Sequence, residues 1–484
     1  MKLNKYLILI ILFVLAFRLF FVFQTDNYSS DESYFHLRYI NHILEEKSPL
    51  FYDDLSYGGR PVVYPPLFHY ILALLSFVPF AFKILPAIFI SSLIIIAYLI
   101  SKEIYANKTI NLLIALLAGF IPVILSQTLN QISPLAILLP LSLLMFYSLM
   151  KINQDKKYII LFTATALVLP FIHIASLIIL FSLLLFLILS NTESINLDKI
   201  KQEAILFFSV FTLLISFIIY KKALLLYGFG SIWENTPSII LSQHFQAFNP
   251  FGAVYQLGIL PFVLGVIGIF YGVFKEKKEH IILLSSLILS SLILLVLKLT
   301  TIETGLVFLG MGFTLISTLT LAKIYKYMDL TKFSKYKKYF YITLTLLIIV
   351  SAVLPSFFAS RQVISNAPSN EEISELASLK DLPFSTAVLG SLDEGHLISV
   401  VSGKKNVADQ NFLLAPKPDQ RARDINAIYT TPFVTRAVDL LKEYRVKYIY
   451  LSDDTKKLYG ISDLRVAEDG KCFRKVGRFY EVIC

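Results

Sequence analysis

Long apolar runs separated by short lysine-bearing turns occupy most of the chain. Runs of about twenty apolar residues are long enough to cross a bilayer as helices. The first, Tyr6 to Phe23, follows Lys2 and Lys5. It is longer than the apolar core of a secretory signal and lacks small-residue cleavage chemistry, so it reads as a span. Further runs fall at 84–100, 109–125, 134–150, 158–172, 173–190, 203–220, 255–274, 281–298, 304–321 and 340–357. A shorter one, Leu67 to Phe80, has the length of an interfacial or re-entrant helix and is expected to lie along the membrane surface. The pattern thus predicts about eleven crossings.

Beyond residue 357 the pattern changes. A Pro-, Asn-, Ser- and Glu-bearing entry (Asn366 to Glu372) leads into short apolar stretches. Thr386–Gly390 and Val446–Leu451 predict strands, Thr435–Tyr444 an amphipathic helix, and Cys472–Val476 with Phe479–Ile483 a closing hairpin. The expected fold class is an α-helical polytopic membrane protein, 1–357, carrying a small C-terminal α/β domain, 358–484.

Composition agrees: the 484 residues are 56% hydrophobic and only 16% charged, too apolar for a water-soluble globule. A formal net charge of +10 would suit a nucleic-acid partner, but position explains it better. The basic residues gather in the turns Lys102/Lys108, Lys151/Lys156/Lys157, Lys199/Lys201, Lys275/Lys277/Lys278 and Lys323 to Lys338. With a cytoplasmic N-terminus every one of these falls inside, as retention of positive charge requires. The same count puts the loop 24–66, the turn Ser126–Ser133, the long loop 221–254 and the tail outside. No nucleic-acid partner is expected.

The polar chemistry lies on that outer face. Asp31-Glu32 directly after the first span can hold a hard divalent cation through oxygen ligands; the alternative is a helix cap with acids in its first turn. His36, His69 and His173 lack ligand spacing and read as packing residues. Cys472 and Cys484 either close a short disulfide hairpin or are two separate thiols. Asn27-Tyr28-Ser29 is an outward sequon.

Three segments together resemble a known family. Asp31 with Tyr34-Phe35-His36-Leu37-Arg38, Tyr52-Asp53-Asp54-Leu55-Ser56-Tyr57-Gly58-Gly59, and Tyr64-Pro65-Pro66-Leu67-Phe68-His69 look like the first outer loop of oligosaccharyltransferase catalytic subunits, archaeal and bacterial. These are GT-C membrane glycosyltransferases that draw sugar from polyprenyl- or dolichyl-phosphate-type lipids. Ser231-Ile232-Trp233-Glu234-Asn235-Thr236-Pro237 resembles the family's outer-loop glutamate stretch and is preferred to Thr301-Ile302-Glu303. Ser391-Leu392-Asp393-Glu394-Gly395-His396, followed by Val407-Ala408-Asp409, resembles its tail motif.

The resemblance implies an inverting, lipid-donor glycosyltransferase active in protein glycosylation. Its catalytic residues would be Asp31 and Glu234, with a divalent metal, Mg or Mn, on Asp31 and Glu32. Glu234 and Asp393 would bind the acceptor, while Arg18, Lys298, His36 and Arg38 would meet the lipid phosphate. Partners would be a polyprenyl-phosphate-linked sugar, a protein or glycolipid acceptor, and the bilayer.

The chain also departs from the family. Ser391 and Leu392 stand where two tryptophans grip the acceptor, and the turn Ser126–Ser133 carries no carboxylate, offering only Asn130 or Gln131. A transferase with another acceptor and a non-catalytic membrane subunit both fit these losses. A transporter fits less well, since the span centres are almost free of ionisable groups.

Overall fold

Leucine- and isoleucine-rich runs must satisfy their backbone groups internally in lipid, and they do so as helices. The computed structural model describes residues 4–228, 245, 248–467 and 470–484. Among these residues seven helices are long and apolar enough to cross a membrane: Lys5–Val22, Ala81–Ile104, Lys199–Tyr227, Ile259–Glu276, Glu279–Val296, Ile302–Leu330, and the stretch from Lys337. An eighth span results if Lys108–Gly119 and Pro122–Thr128, bent by 43°, are taken together. Leu135–Lys151 and Ser176–Thr192 are apolar helices of 17 residues each. The expected eleven crossings are therefore not all single long helices. Pro122 removes a helical donor at one break, and the run expected at 158–172 is a helix only over Lys156–Val168 before a 3-10 turn containing Pro170.

The chain divides into two compact units. One comprises residues 1–25, 65–221 and 247–365 and holds the apolar helices. Ile302–Leu330 is its central helix, apolar and buried from Thr304 to Ala322, and its start is fixed by Thr301, whose hydroxyl accepts the Thr304 N–H. Thr301-Ile302-Glu303 is thus a helix start. Ile259–Tyr271 packs on the central helix through Gly265 and Gly268. A Cβ on Gly268 would lie 2.7 Å from the Ile316 carbonyl oxygen, so only glycine allows this approach.

The basic turns meet one another in this unit: Lys151 pairs with Glu103 at 2.8 Å, Lys201 with Glu279 at 2.5 Å, Lys277 with Glu193 at 2.7 Å, and Lys323 with Glu276. Turns that charge retention sends to one side of a membrane are thus linked in pairs. Leu67–Leu74 is an eight-residue helix.

The other unit joins 26–64, 222–246 and 366–484. Its first-loop helix is Asp31–Glu46, followed by the antiparallel strands β1 (Tyr52–Asp53) and β2 (Arg60–Pro61). Gly58 and Gly59 at φ +75° and +69° make the turn between them.

The tail supplies β3 (Ala387–Leu389), β4 (Lys405–Asn406), β5 (Val446–Tyr450), β6 (Phe473–Val476) and β7 (Phe479–Val482) in one sheet, ordered β4-β3-β5-β7-β6. The β4 and β5 pairings to β3 are parallel and the β5–β7–β6 pairings antiparallel. Each tail strand expected from the sequence is present, as is the amphipathic helix, Val434–Glu443. Leu389, Val407, Phe412, Ile428, Leu441 and Ile449 form the core beside the sheet. The first loop covers the β4 edge: the Asn406 N–H donates to the Leu55 carbonyl (2.9 Å), and the Tyr57 N–H to the Asn406 carbonyl (2.8 Å). An open strand edge is thereby paired. Cys472 and Cys484 are disulfide-bonded.

Candidate active site

Asp31 begins the helix Asp31–Glu46, and the tail helix Gly395–Ser402 begins beside it. The Asp31 carboxylate accepts the His396 N–H on Oδ2 (3.1 Å) and the Leu397 N–H on Oδ1 (2.7 Å). Two otherwise orphaned donors of a helix N-terminus are thus satisfied by a carboxylate 365 residues away, and the helix dipole favours its charge. Burial nevertheless raises the Asp31 pKa well above the usual carboxylate value. The two N–H bonds oppose that shift, and the negative charges of Asp409 and Asp393 add to it. The tail motif singled out by sequence and the first-loop aspartate therefore meet directly.

Around this contact lies a buried ion network. Arg60, 2% exposed, donates to Asp409 Oδ1 (2.6 Å) and Asp53 Oδ2 (3.1 Å), and Arg38 pairs with Asp53 at 2.5 Å. Asp53 also accepts the N–H groups of Leu55 and Ser56, fixing the turn that carries Arg60. Asp409 accepts from the Asn411 N–H (2.9 Å) and Asn406 Nδ2 (3.2 Å), with His396 Nε2 3.5 Å away.

Burial works against the charge on both aspartates, but the arginines overcome it, and both carboxyls titrate below the usual range. Burial pushes the His396 imidazole down to about 4, and the nearby arginines reinforce the shift against the pull of Asp409. Gly395 is required where the helix crosses this network, because a Cβ there would lie 2.3 Å from the Ala408 carbonyl oxygen.

The other expected residues fall as follows. Glu32 lies 3.6 Å from His36, whose ring is buried against Tyr64 and Phe35. Arg38 is committed to Asp53. Asp393 accepts from Gln410 Nε2 at 2.9 Å. Ser391, at the first tryptophan position, is 2% exposed and hydrogen-bonds Glu394, which also accepts from Ser452 and Thr455. This segment is a turn closed on its own polar groups.

In the helical unit, Arg18 is buried and donates to Thr128 Oγ1 at 3.0 Å, and Lys298 ends a helix at the surface with φ +55°. Asn130 Oδ1 takes Lys83 Nζ at 3.3 Å, and Gln131 Nε2 donates to the Ser126 carbonyl at 2.7 Å. The Asn27 side-chain nitrogen donates to the Pro368 carbonyl and to Asn370 Oδ1. Glu234 and Trp233 lie outside the described residues.

Among the described residues no three His, Cys, Asp or Glu side chains converge to hold a divalent metal. Both oxygens of Asp31 accept N–H bonds, and Asp53 and Asp409 are neutralised by arginine. The described carboxylates, Asp31 and Glu32 included, do not by themselves form a cation cage.

Arg60 and Asp53 belong to the site without a sequence motif that marks them. The only local signal was the Asp53-Asp54 and Gly58-Gly59 stretch flanking the turn, because the pairing to Asp409 is 349 residues distant.

No protein-family model matches the chain, and no curated protein matches it by sequence. Solved structures do. The Archaeoglobus fulgidus oligosaccharyltransferase in complex with Zn and sulfate superposes with a TM-score of 0.67 at 16% identity, over 97% of this chain and 71% of that one. AglB of the same organism, in complex with an inhibitory peptide and a dolichol-phosphate, gives 0.66 at 15%, over 99% and 74%. ArnT from Cupriavidus metallidurans, bound to undecaprenyl phosphate, gives 0.50 at 10%, over 97% of each chain. At these identities the likeness is one of architecture: the chain has the GT-C fold of the oligosaccharyltransferase and ArnT structures.

Proposed function

We propose that the chain is a membrane glycosyltransferase that moves a sugar from a polyprenyl-phosphate-type lipid to an acceptor on the outer face. The observation that carries this reading is the seating of Asp31 on the tail helix at His396 and Leu397. The two segments whose motifs resemble the family's are brought together there. The fold neighbours support the donor class, since one was solved with a dolichol-phosphate and another with undecaprenyl phosphate. Charge retention supports the orientation, with the N-terminus cytoplasmic and the tail outside.

In this reading the acceptor N–H or O–H attacks the anomeric carbon opposite the phosphate, and the bond between that carbon and the phosphate oxygen breaks. The lipid phosphate leaves as an anion, and the acceptor proton passes to Asp31. A partly buried carboxylate with a raised pKa suits that role. Glu234 and Asp393 would orient the acceptor, and Glu32 would add negative potential beside Asp31. Beside Asp31 in the same unit, His36 and Arg38 would offset charge on the phosphate, Arg38 from its pair with Asp53. Leu67–Leu74 would seat the lipid chain. Among the described residues no three acidic, histidine or cysteine side chains converge on a metal, and the acid–base role falls to Asp31. The closed turn at Ser391 favours an acceptor other than an Asn-x-Ser/Thr sequon: a hydroxyl of a protein or a glycolipid.

Membranes containing the chain, incubated with labelled lipid-linked sugar, should transfer label to a second species that matched membranes without the chain leave unlabelled. Equal labelling in both overturns the assignment.

A further inference from the structure

We propose that the helical unit carries a binding site for the phosphate headgroup of an anionic lipid, at the lysine-rich ends of its helices. Asn4, Tyr98, Lys102, Ala106, Lys108 and Asn111 line a cavity of about 470 Å³ there. It opens where Lys5–Val22 begins, where Leu93–Ile104 ends and where Lys108–Gly119 begins. No carboxylate lines it. The nearest acid in the chain order, Glu103, is committed to Lys151 at 2.8 Å. Among the described residues neither Lys102 nor Lys108 has an ion-pair partner. Lys5 and Lys108 both reach the Tyr6 ring, each with Nζ 5.2 Å from its centroid, so a third ammonium lies beside the same site.

Charge retention alone would explain lysines that extend into water. It does not explain a cavity between them. Asn4, which lines the cavity, accepts the Tyr6 N–H on Oδ1 at 3.2 Å, and among the described residues its buried Nδ2 has no acceptor. A buried donor left unmade costs about 1–3 kcal/mol, and a turn of the Asn4 side chain into the cavity would bring it to a phosphate oxygen. Half-exposed Tyr6 and Tyr105 flank the site, as aromatic residues do at the level of lipid headgroups. Clustered ammonium groups, an amide donor and an aromatic rim at that level together select a phosphate carried by a lipid.

The full-length chain, reconstituted in neutral phosphatidylcholine nanodiscs doped with phosphatidylglycerol, tests this by native mass spectrometry of the retained lipid. Lys102→Gln with Lys108→Gln should weaken phosphatidylglycerol retention roughly thirtyfold, and Asn4→Ala, which changes no charge, roughly fivefold. Lys156→Gln with Lys199→Gln, exposed lysines on other turns, should leave retention unchanged. Equal loss in that control would mean delocalised surface charge and overturn the site. Unchanged retention in the folded Lys102/Lys108 variant would also overturn it. So would displacement of the lipid by millimolar inorganic phosphate, which would make the ligand a free anion.

Discussion

Arg60 is the residue on which the first loop and the tail most depend. It holds Asp53 and Asp409 at once, with all three groups no more than 2% exposed. Removing one partner from such a group leaves uncompensated buried charge, which costs about 3–5 kcal/mol. Arg60→Met should therefore lower the melting midpoint of the purified chain sharply. A shift within error would show that the two carboxylates find other partners.

The network also sets a pH response. His396 is neutral in the fold, with its pKa at about 4, and an unfolded imidazole titrates near 6.5. Its share of stability is present above about 6.5 and is lost as pH falls from there through about 4. Asp53 and Asp409 have depressed values, so their share is present above about 4 and is lost as pH falls below it. Asp31 has the opposite sign, and its protonated form is the one the fold favours. Melting midpoints at pH 7, 5 and 3 should fall stepwise, and His396→Asn should remove the first step. A midpoint that rises between pH 7 and 5 would mean that Asp31 outweighs His396.

At the scale of elements, contact between helices depends on small residues as much as on apolar ones. Ile259–Tyr271 lies against Ile302–Leu330 with Thr320 Oγ1 donating to the Leu264 carbonyl (2.6 Å) and Ser317 Oγ to the Pro261 carbonyl (3.2 Å). Gly268→Leu would force the pair apart at the Ile316 carbonyl. Overpacking of this kind costs about 1–3 kcal/mol, so the variant should melt lower and lose its single size-exclusion peak. Val266→Leu on the exposed face of the same helix should do neither.

The elements were the most legible part of the sequence. Short apolar runs bounded by polar residues located β3, β5, β6 and β7: β3 is buried at all three positions, and β5, β6 and β7 each keep positions that are partly or fully exposed. The breaks at Phe120-Ile121 and after Val168 were not legible, since they lie inside continuous apolar runs where hydropathy does not change. The site was half legible. Asp31 and the 391–396 segment stood out as motifs, but the cap that joins them and the Arg60 network depend on contacts several hundred residues apart, which no local pattern encodes.

At the scale of the whole molecule, one unit gathers the apolar helices and the other gathers the polar chemistry of the first loop and tail. The GT-C fold matches that division, and the proposed transfer rests on Asp31 in the second unit. Asp31→Asn keeps the size of the side chain and one of its acceptors, so it should cost the fold about 1 kcal/mol through the weakened cap. Losing a general base should cost transfer about a hundredfold or more. The decisive measurement is turnover of labelled polyprenyl-phosphate-linked sugar by purified wild-type and Asp31→Asn chains in liposomes, with melting midpoints recorded alongside. Turnover by the wild type is expected, rising with pH through a value above the usual carboxylate range, with a folded variant slowed by about a hundredfold or more. Equal turnover by the folded variant, or none by the wild type with any lipid-linked sugar, would contradict a transfer that rests on Asp31.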